Sequence, residues 1–317
     1  MQDQVTILVI IDKPFSRSPA LLRAMSLAWK TNATLLLYSF EYDRGLAHAA
    51  EHGLDLDAYI RGRNAKLEAF ADGLRAEGFR VEARVAWGHP VAAQIISSVL
   101  AARPDFVIKD VHAESAIRRI LFTPLDWQLL RECPAPLMLV RQHTGNMPKR
   151  IMAAVDPLDE HDRPRGLNDV IMKAAAMLAM QCDANVDVVH VFDYVPVLAD
   201  PEGAAGWVLD TTIYDELRTL HKDALRKLGE RYGVPAQKLH LLDGGAASTL
   251  AQFTRDHDID LLVMGTTFRT RLERLTMGST AENLLGDLDC DVLALKPAGF
   301  RERLMVMLEE ASESEAA

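Results

Sequence analysis

The stretch Ile259-Asp-Leu-Leu-Val-Met-Gly265-Thr-Thr-Phe268, continued by Met277-Gly-Ser-Thr280, decides how the rest of the chain is read. An apolar run leads into a loop with a glycine at each end, Gly265 and Gly278, and a helical pattern follows over Ala281–Leu288. Strand, glycine loop and helix start together make a holder for phosphate. Glycine lets backbone approach an anion closely, and a helix start offers N–H groups with the positive end of the helix dipole. Ser279 and Thr280 add hydroxyl donors at the same place. Ser279-x-x-Glu282 is equally a capping box, so this stretch alone leaves both readings open.

Working outward, the chain is written twice. Ile7-Leu-Val-Ile-Ile-Asp12 is matched by Ile151-Met-Ala-Ala-Val-Asp156, each an apolar run ending in aspartate. Leu35–Phe40 is matched by Asp187–Phe192, Arg84–Gly88 by His240–Gly244, and Asp105–Ile108 by Asp260–Met264. The last runs, Leu137–Val140 and Val292–Leu295, each follow closely on a cysteine, Cys133 and Cys290. Helical patterns fill the gaps at 18–30, 56–77, 91–102 and 125–132, then at 167–181, 212–231, 247–257 and 280–287. Each half reads β-α-β-α-β-α-β-α-β.

Short runs dense in Val, Ile and Leu, with little alternation, are strands buried on both faces. The expected fold is α/β: two tandem, doubly wound, five-stranded parallel-sheet domains with helices on both faces. The expected domains are 1–143 and 149–298, separated by the polar stretch Arg141–Arg150, with a tail at 299–317. In that tail Phe300–Glu310 reads as a short amphipathic helix and Glu309–Ala317 as disordered. The second half is longer than the first after its first and second strands, in Asp159–Asn168 and Asp193–Thr212. The latter, with Pro196, Pro201 and Trp207, reads as a lid or as an interdomain or dimer contact.

A first strand ending in Asp, five alternating strands and a glycine loop after the fourth resemble the universal stress protein family. Nucleotide-binding members carry Gly, two residues, Gly, nine residues, then Gly followed by Ser or Thr. Here this becomes Gly265-Thr-Thr-Phe268, nine residues, and Gly278-Ser279, so the spacing agrees and the middle glycine is Phe. The resemblance covers both halves and is to tandem bacterial members. It implies a ligand over the carboxyl ends of the strands, where open α/β sheets generally bind. It also implies Asp156 near the ribose, phosphates or a bound Mg ion, and Val191 at adenine through its backbone. Gly265, Gly278, Ser279 and Thr280 would surround ribose and phosphates. The implied cofactor is ATP, with Mg as its companion ion. Pairing of the last strands would join the two halves within one molecule, and a homodimer of chains is compatible with it.

Two departures shape the expectation. Phe268 crowds the phosphate tail or covers the site, and Arg269, Arg271 and Arg274 follow as candidate phosphate contacts or as a solvated edge. The first half has no glycine at the motif positions: Lys109-Asp-Val-His112 and Leu121-Phe-Thr-Pro124 stand there. Asp110 and Glu114 bring negative charge, and Pro124 removes an N–H donor. This half is not expected to hold ATP. Leu121, Phe122 and Trp127 offer an apolar ligand a surface or simply pack their helix.

Other chemistries are excluded or unsupported. There is no Gly-x-x-x-x-Gly-Lys-Ser/Thr loop, no Gly-x-Ser-x-Gly elbow and no Cys-x-x-Cys pair. Asp156, Asp159, His161 and Asp162 match no familiar metal spacing. His48 and His52 are four apart, a spacing that would share one face were the segment helical, as zinc ligands sometimes do, but the sequence shows no third ligand, and no metal site is expected. No catalytic residues are assigned. A net charge of −10 disfavours nucleic acid and anionic membranes as partners. No apolar run spans a bilayer, the N-terminus lacks signal-peptide regions, and three cysteines make no disulfide framework. The expectation is a cytoplasmic stress-response protein that binds an adenine nucleotide in its second half, regulatory or protective and at most weakly hydrolytic, with unidentified protein partners. The competing readings are a slow Mg-dependent ATPase, and a nucleotide-free scaffold for proteins or for an apolar metabolite in the first half.

Overall fold

The computed structural model describes residues 4–12, 14–111, 122–141, 147–158, 166–193, 211–266 and 284–316. The first half runs β1 (Thr6–Ile10), α1 (Pro19–Thr31), β2 (Thr34–Glu41), α2 (Arg44–Glu51), α3 (Leu56–Ala76), β3 (Arg80–Trp87), α4 (Val91–Ala102), β4 (Phe106–Asp110), α5 (Pro124–Glu132) and β5 (Leu137–Val140). The second runs β6 (Arg150–Ala154), α6 (Leu167–Cys182), β7 (Asn185–Phe192), α7 (Thr211–Arg231), β8 (Leu239–Asp243), α8 (Ala246–Asp256), β9 (Leu261–Gly265) and β10 (Asp291–Leu295). Residues 284–287 are helical, and a C-terminal helix follows over Phe300–Ala316.

All ten strands form one sheet in the order β3-β2-β1-β4-β5-β10-β9-β6-β7-β8. Pairing is parallel within each half. The halves meet antiparallel, with Leu139, Met138 and Leu137 opposite Val292, Leu293 and Ala294. The fifth strand of each half would otherwise be an apolar edge able to recruit another chain, and each covers the other. The outer edges are managed differently: β3 carries Arg80, Glu82 and Arg84, and β8 is only 5 residues long.

Alternate side chains feed two cores, one on each face of the sheet. Ile7 and Val9 point to a layer of α1, α3, α6 and α7, whereas Leu8 and Ile10 point to α4, α5, α8 and the C-terminal helix. Both layers run across both halves. A buried ion pair crosses the seam: Arg23 on α1 reaches Asp291 on β10 at 2.8 Å, both essentially inaccessible. The same carboxylate accepts the Arg141 N–H at 2.9 Å. The three cysteines are free and buried.

Local sequence explains the helix limits. Ser18 caps α1 by accepting the Leu21 N–H, Pro19 opens it, and Asn32 closes it in the left-handed region. Helix α2 was not expected: it buries none of its residues, so its apolar stripe is too short to read. The C-terminal helix runs to Ala316, through Glu309–Ala316 of the segment expected to be disordered. It is anchored at its start by buried Phe300 and Leu304.

Candidate nucleotide-binding site

The registers bring three predicted positions to one rim. Ala154 pairs with Val189 on β7 and with Met264 on β9, so Asp156, Val191 and Gly265 each lie just past a paired position. β6 ends where the Val155 N–H donates to the Val189 carbonyl at 3.0 Å, and Asp156 then leaves the sheet.

Asp156 is held by Asn168 near the start of α6. The Asp156 N–H donates to Asn168 Oδ1 at 2.9 Å, and Asn168 Nδ2 donates to the Asp156 carbonyl at 2.7 Å. This clamp fixes the backbone and leaves the carboxylate 62% exposed on the rim, 4.0 Å from His190 Nδ1. Val191 is half-buried and packs on the α8 side of the sheet. A cleft of about 460 Å³ opens beside the clamp, between α6 and α7, with Asn168, Asp169 and Lys227 in its wall.

Gly265 has a use that the motif did not show. A β-carbon there would lie 2.4 Å from Leu167 Cδ2, so the first residue of α6 packs directly on its backbone. The next residue, Thr266, is buried, and its N–H donates to the Leu295 carbonyl at 2.8 Å. Gly278, Ser279 and Thr280 lie outside the described residues, as do Phe268, Arg269, Arg271 and Arg274. So do Asp159, His161 and Asp162, and most of the expected lid, 194–210. Among the described residues that follow, Leu284 and Leu285 are buried in the core.

Two features of this rim were not read from the sequence. His190 is buried, and its Nδ1–H donates to the Val155 carbonyl at 3.1 Å. That leaves Nε2 to accept from His221 Nδ1 on α7, 2.6 Å away. Burial pushes both imidazoles below the usual histidine range, against the pull of Asp156. A histidine inside Val-Val-His-Val is a visible oddity, but its partner on α7 is a tertiary fact. The second feature is Lys296, just after β10. Its Nζ donates to Thr266 Oγ1 at 2.7 Å and to the Leu130 carbonyl of the first half. Burial pushes this ammonium down to about 7.

The first half builds the corresponding rim differently. Asp110, opposite Gly265 in the repeat, is buried, and its Oδ1 accepts the Ala20 N–H at 2.8 Å at the start of α1. Helix α5 caps itself: Asp126 Oδ2 accepts the Thr123 N–H at 2.8 Å, and Thr123 Oγ1 accepts the Asp126 N–H at 3.2 Å. The other Asp126 oxygen faces Lys109 Nζ at 2.9 Å, with both side chains buried. At the end of β2, buried Glu41 takes Arg63 Nε at 2.9 Å. Phe122 and Trp127 pack against each other, with ring centroids 5.3 Å apart, and Phe122 is buried.

The spacing from Asp105 to Leu137 equals that from Asp260 to Val292, so Thr123, Pro124 and Asp126 fall opposite Gly278, Ser279 and Ala281. The capping carboxylate of the first half therefore has an alanine as its counterpart in the second, and the Asp110 carboxylate a glycine.

No described helix is long and apolar enough to cross a membrane. The model of the universal stress protein family matches the chain twice, over residues 5–141 and 147–296. Universal stress protein E of Photorhabdus laumondii is 28% identical over 308 residues, covering 95% of this chain and 97% of that protein. Universal stress protein E of Escherichia coli K12 is 28% identical over 300 residues, covering 93% and 94% respectively. The crystal structure of the functionally unknown protein PA1789 from Pseudomonas aeruginosa PAO1 superposes with a TM-score of 0.76 at 25% identity, covering 98% of each chain. With two family matches in one chain and relatives of the same length, this protein belongs to the universal stress protein family, as a tandem member.

Proposed function

We infer that the second half, 149–298, binds an adenine nucleotide, ATP with Mg, and that the first half, 1–143, is its structural partner. One observation carries this reading: the two rims differ in charge where phosphate would sit. The first half fills the place with the carboxylates of Asp110 and Asp126, the latter neutralised by Lys109. In sequence the second half has Gly265 and Ala281 at those positions, with Gly278, Ser279 and Thr280 just before the latter. With Ala281 where the first half has the capping Asp126, the N–H groups that follow Gly278 can serve an external anion, and the Ser279-x-x-Glu282 capping box is the competing use of the same groups. Asp156 then supplies a carboxylate for ribose or for the metal companion of the phosphates, and the Val191 backbone meets adenine.

The protein acts in the cytoplasm as a ligand-responsive regulatory or protective factor. Binding rather than turnover is the role proposed for it, with a slow Mg-dependent ATPase as the alternative. Phe268 favours the competing, nucleotide-free reading. Calorimetric titration of ATP with magnesium into the whole protein separates the two. One site per chain, lost in a folded Gly278→Trp variant, supports nucleotide binding; no heat at millimolar ATP rejects it.

A further inference from the structure

Helix α2 lies in the connection that leaves the carboxyl end of β2, on the rim of the half that lacks a phosphate loop. Its last turn and C-cap read His48-Ala-Ala-Glu51-His52, with His52 as the cap residue. Residues four apart share one face of a helix, and here the two imidazole centroids are 4.5 Å apart. The sequence alone offered a histidine pair without a third ligand. The fold adds Glu51: one donor atom from each of the three side chains lies within 4.8 Å of the other two.

The local hydrogen bonds prepare the ligands. His52 Nδ1 lies 2.9 Å from the His48 carbonyl, which can only accept, so Nδ1 carries the proton and Nε2 keeps its lone pair outward. A metal-bound histidine is held in this way, with its second nitrogen donating to a carbonyl or carboxylate. His48 Nδ1 lies 3.4 Å from a Glu51 carboxylate oxygen, so these two ligand atoms already face one another. All three side chains are solvent-exposed, with His48 and Glu51 each at 72%, so an ion meets no wall and keeps water in its remaining positions.

We propose that His48, Glu51 and His52 form a binding site for a late first-row divalent transition ion, with Zn2+ as its probe. Two imidazoles and one carboxylate suit zinc and its neighbours, whereas Mg2+ and Ca2+ prefer all-oxygen sets. Closing to bonds of about 2.0–2.1 Å requires only side-chain rotation on an exposed turn. Because α2 buries none of its own residues, such an ion would add a tie across its final turn and make the order of this rim segment metal-dependent.

The test is calorimetric titration of zinc chloride into the full chain, free of any histidine tag and stripped by chelator. The expected result is one equivalent per chain, with magnesium chloride giving no heat at the same concentrations. His48→Ala and His52→Ala should each weaken binding at least about ten-fold, the loss that even an outer-shell change produces. Both variants remain folded, because neither side chain is in the core. Nuclear magnetic resonance of the imidazoles in the unaltered protein gives a second readout, with His48 and His52 shifting on zinc and His190 and His221 unmoved. Absence of binding, binding that survives in the double variant, or shifts confined to His190 and His221 would overturn the site.

Discussion

Gly265 and Leu167 touch with no room for a side chain between them: a β-carbon on the glycine would sit 2.4 Å from Leu167 Cδ2. The last residue of β9 thus serves the packing of α6, whatever the loop beyond it binds. Gly265→Ala should cost about 1–3 kcal/mol through overpacking, in the absence of any nucleotide. Urea denaturation measures this, and Leu167→Ala combined with Gly265→Ala should recover part of the glycine variant's loss relative to Leu167→Ala alone. An unchanged midpoint in Gly265→Ala would show that Leu167 moves aside without penalty.

The buried Lys109–Asp126 pair makes a complementary case in the first half. Asp126→Ala removes a helix cap and leaves the buried Lys109 ammonium without its counter-ion, though still bonded to the Asp110 carbonyl, so it should destabilise the protein by about 3–5 kcal/mol. Chemical denaturation followed by circular dichroism checks the magnitude. A loss below about 1 kcal/mol, typical of an exposed pair, would mean that solvent reaches Lys109.

Protonation of the histidine pair should weaken the fold in mild acid. Burial holds His190 and His221 below the value of 6.5 that they take when unfolded. Below pH 6.5 the unfolded chain therefore binds more protons than the native one, and stability falls as pH falls. Above 6.5 the contribution is complete. Denaturation midpoints measured from pH 7 down to about pH 5 should drop, and a His190→Leu/His221→Leu variant should show a shallower slope. Equal slopes would remove the pair from the acid response.

Much of this architecture was legible because it rests on local patterns repeated twice. Strands such as Val107–Ile108 and Leu262–Val263 are apolar on both faces, and runs of that kind alternating with helices admit few arrangements. Helix α2 escaped notice because Arg44–Glu51 buries nothing. The site was legible in a different sense. Asp156 and Val191 were singled out by the family resemblance and Gly265 by the loop spacing, and the sheet register brings the three positions to one rim. What spacing does not contain is contact. The Leu167 side chain against Gly265, the His190–His221 bond and the seat of Lys296 across the two halves depend on elements far apart in the chain. The Thr123–Asp126 cap and its buried counter-ion Lys109 were likewise not read from the sequence.

The most direct test of the unequal halves is photolabelling of the whole protein with an azido-adenine analogue of ATP, followed by peptide mapping. Adenine seated at the end of β7 predicts close to one label per chain, in a second-half peptide containing Val191, displaced by unlabelled ATP. Label in the first half, or none that ATP displaces, would contradict the account.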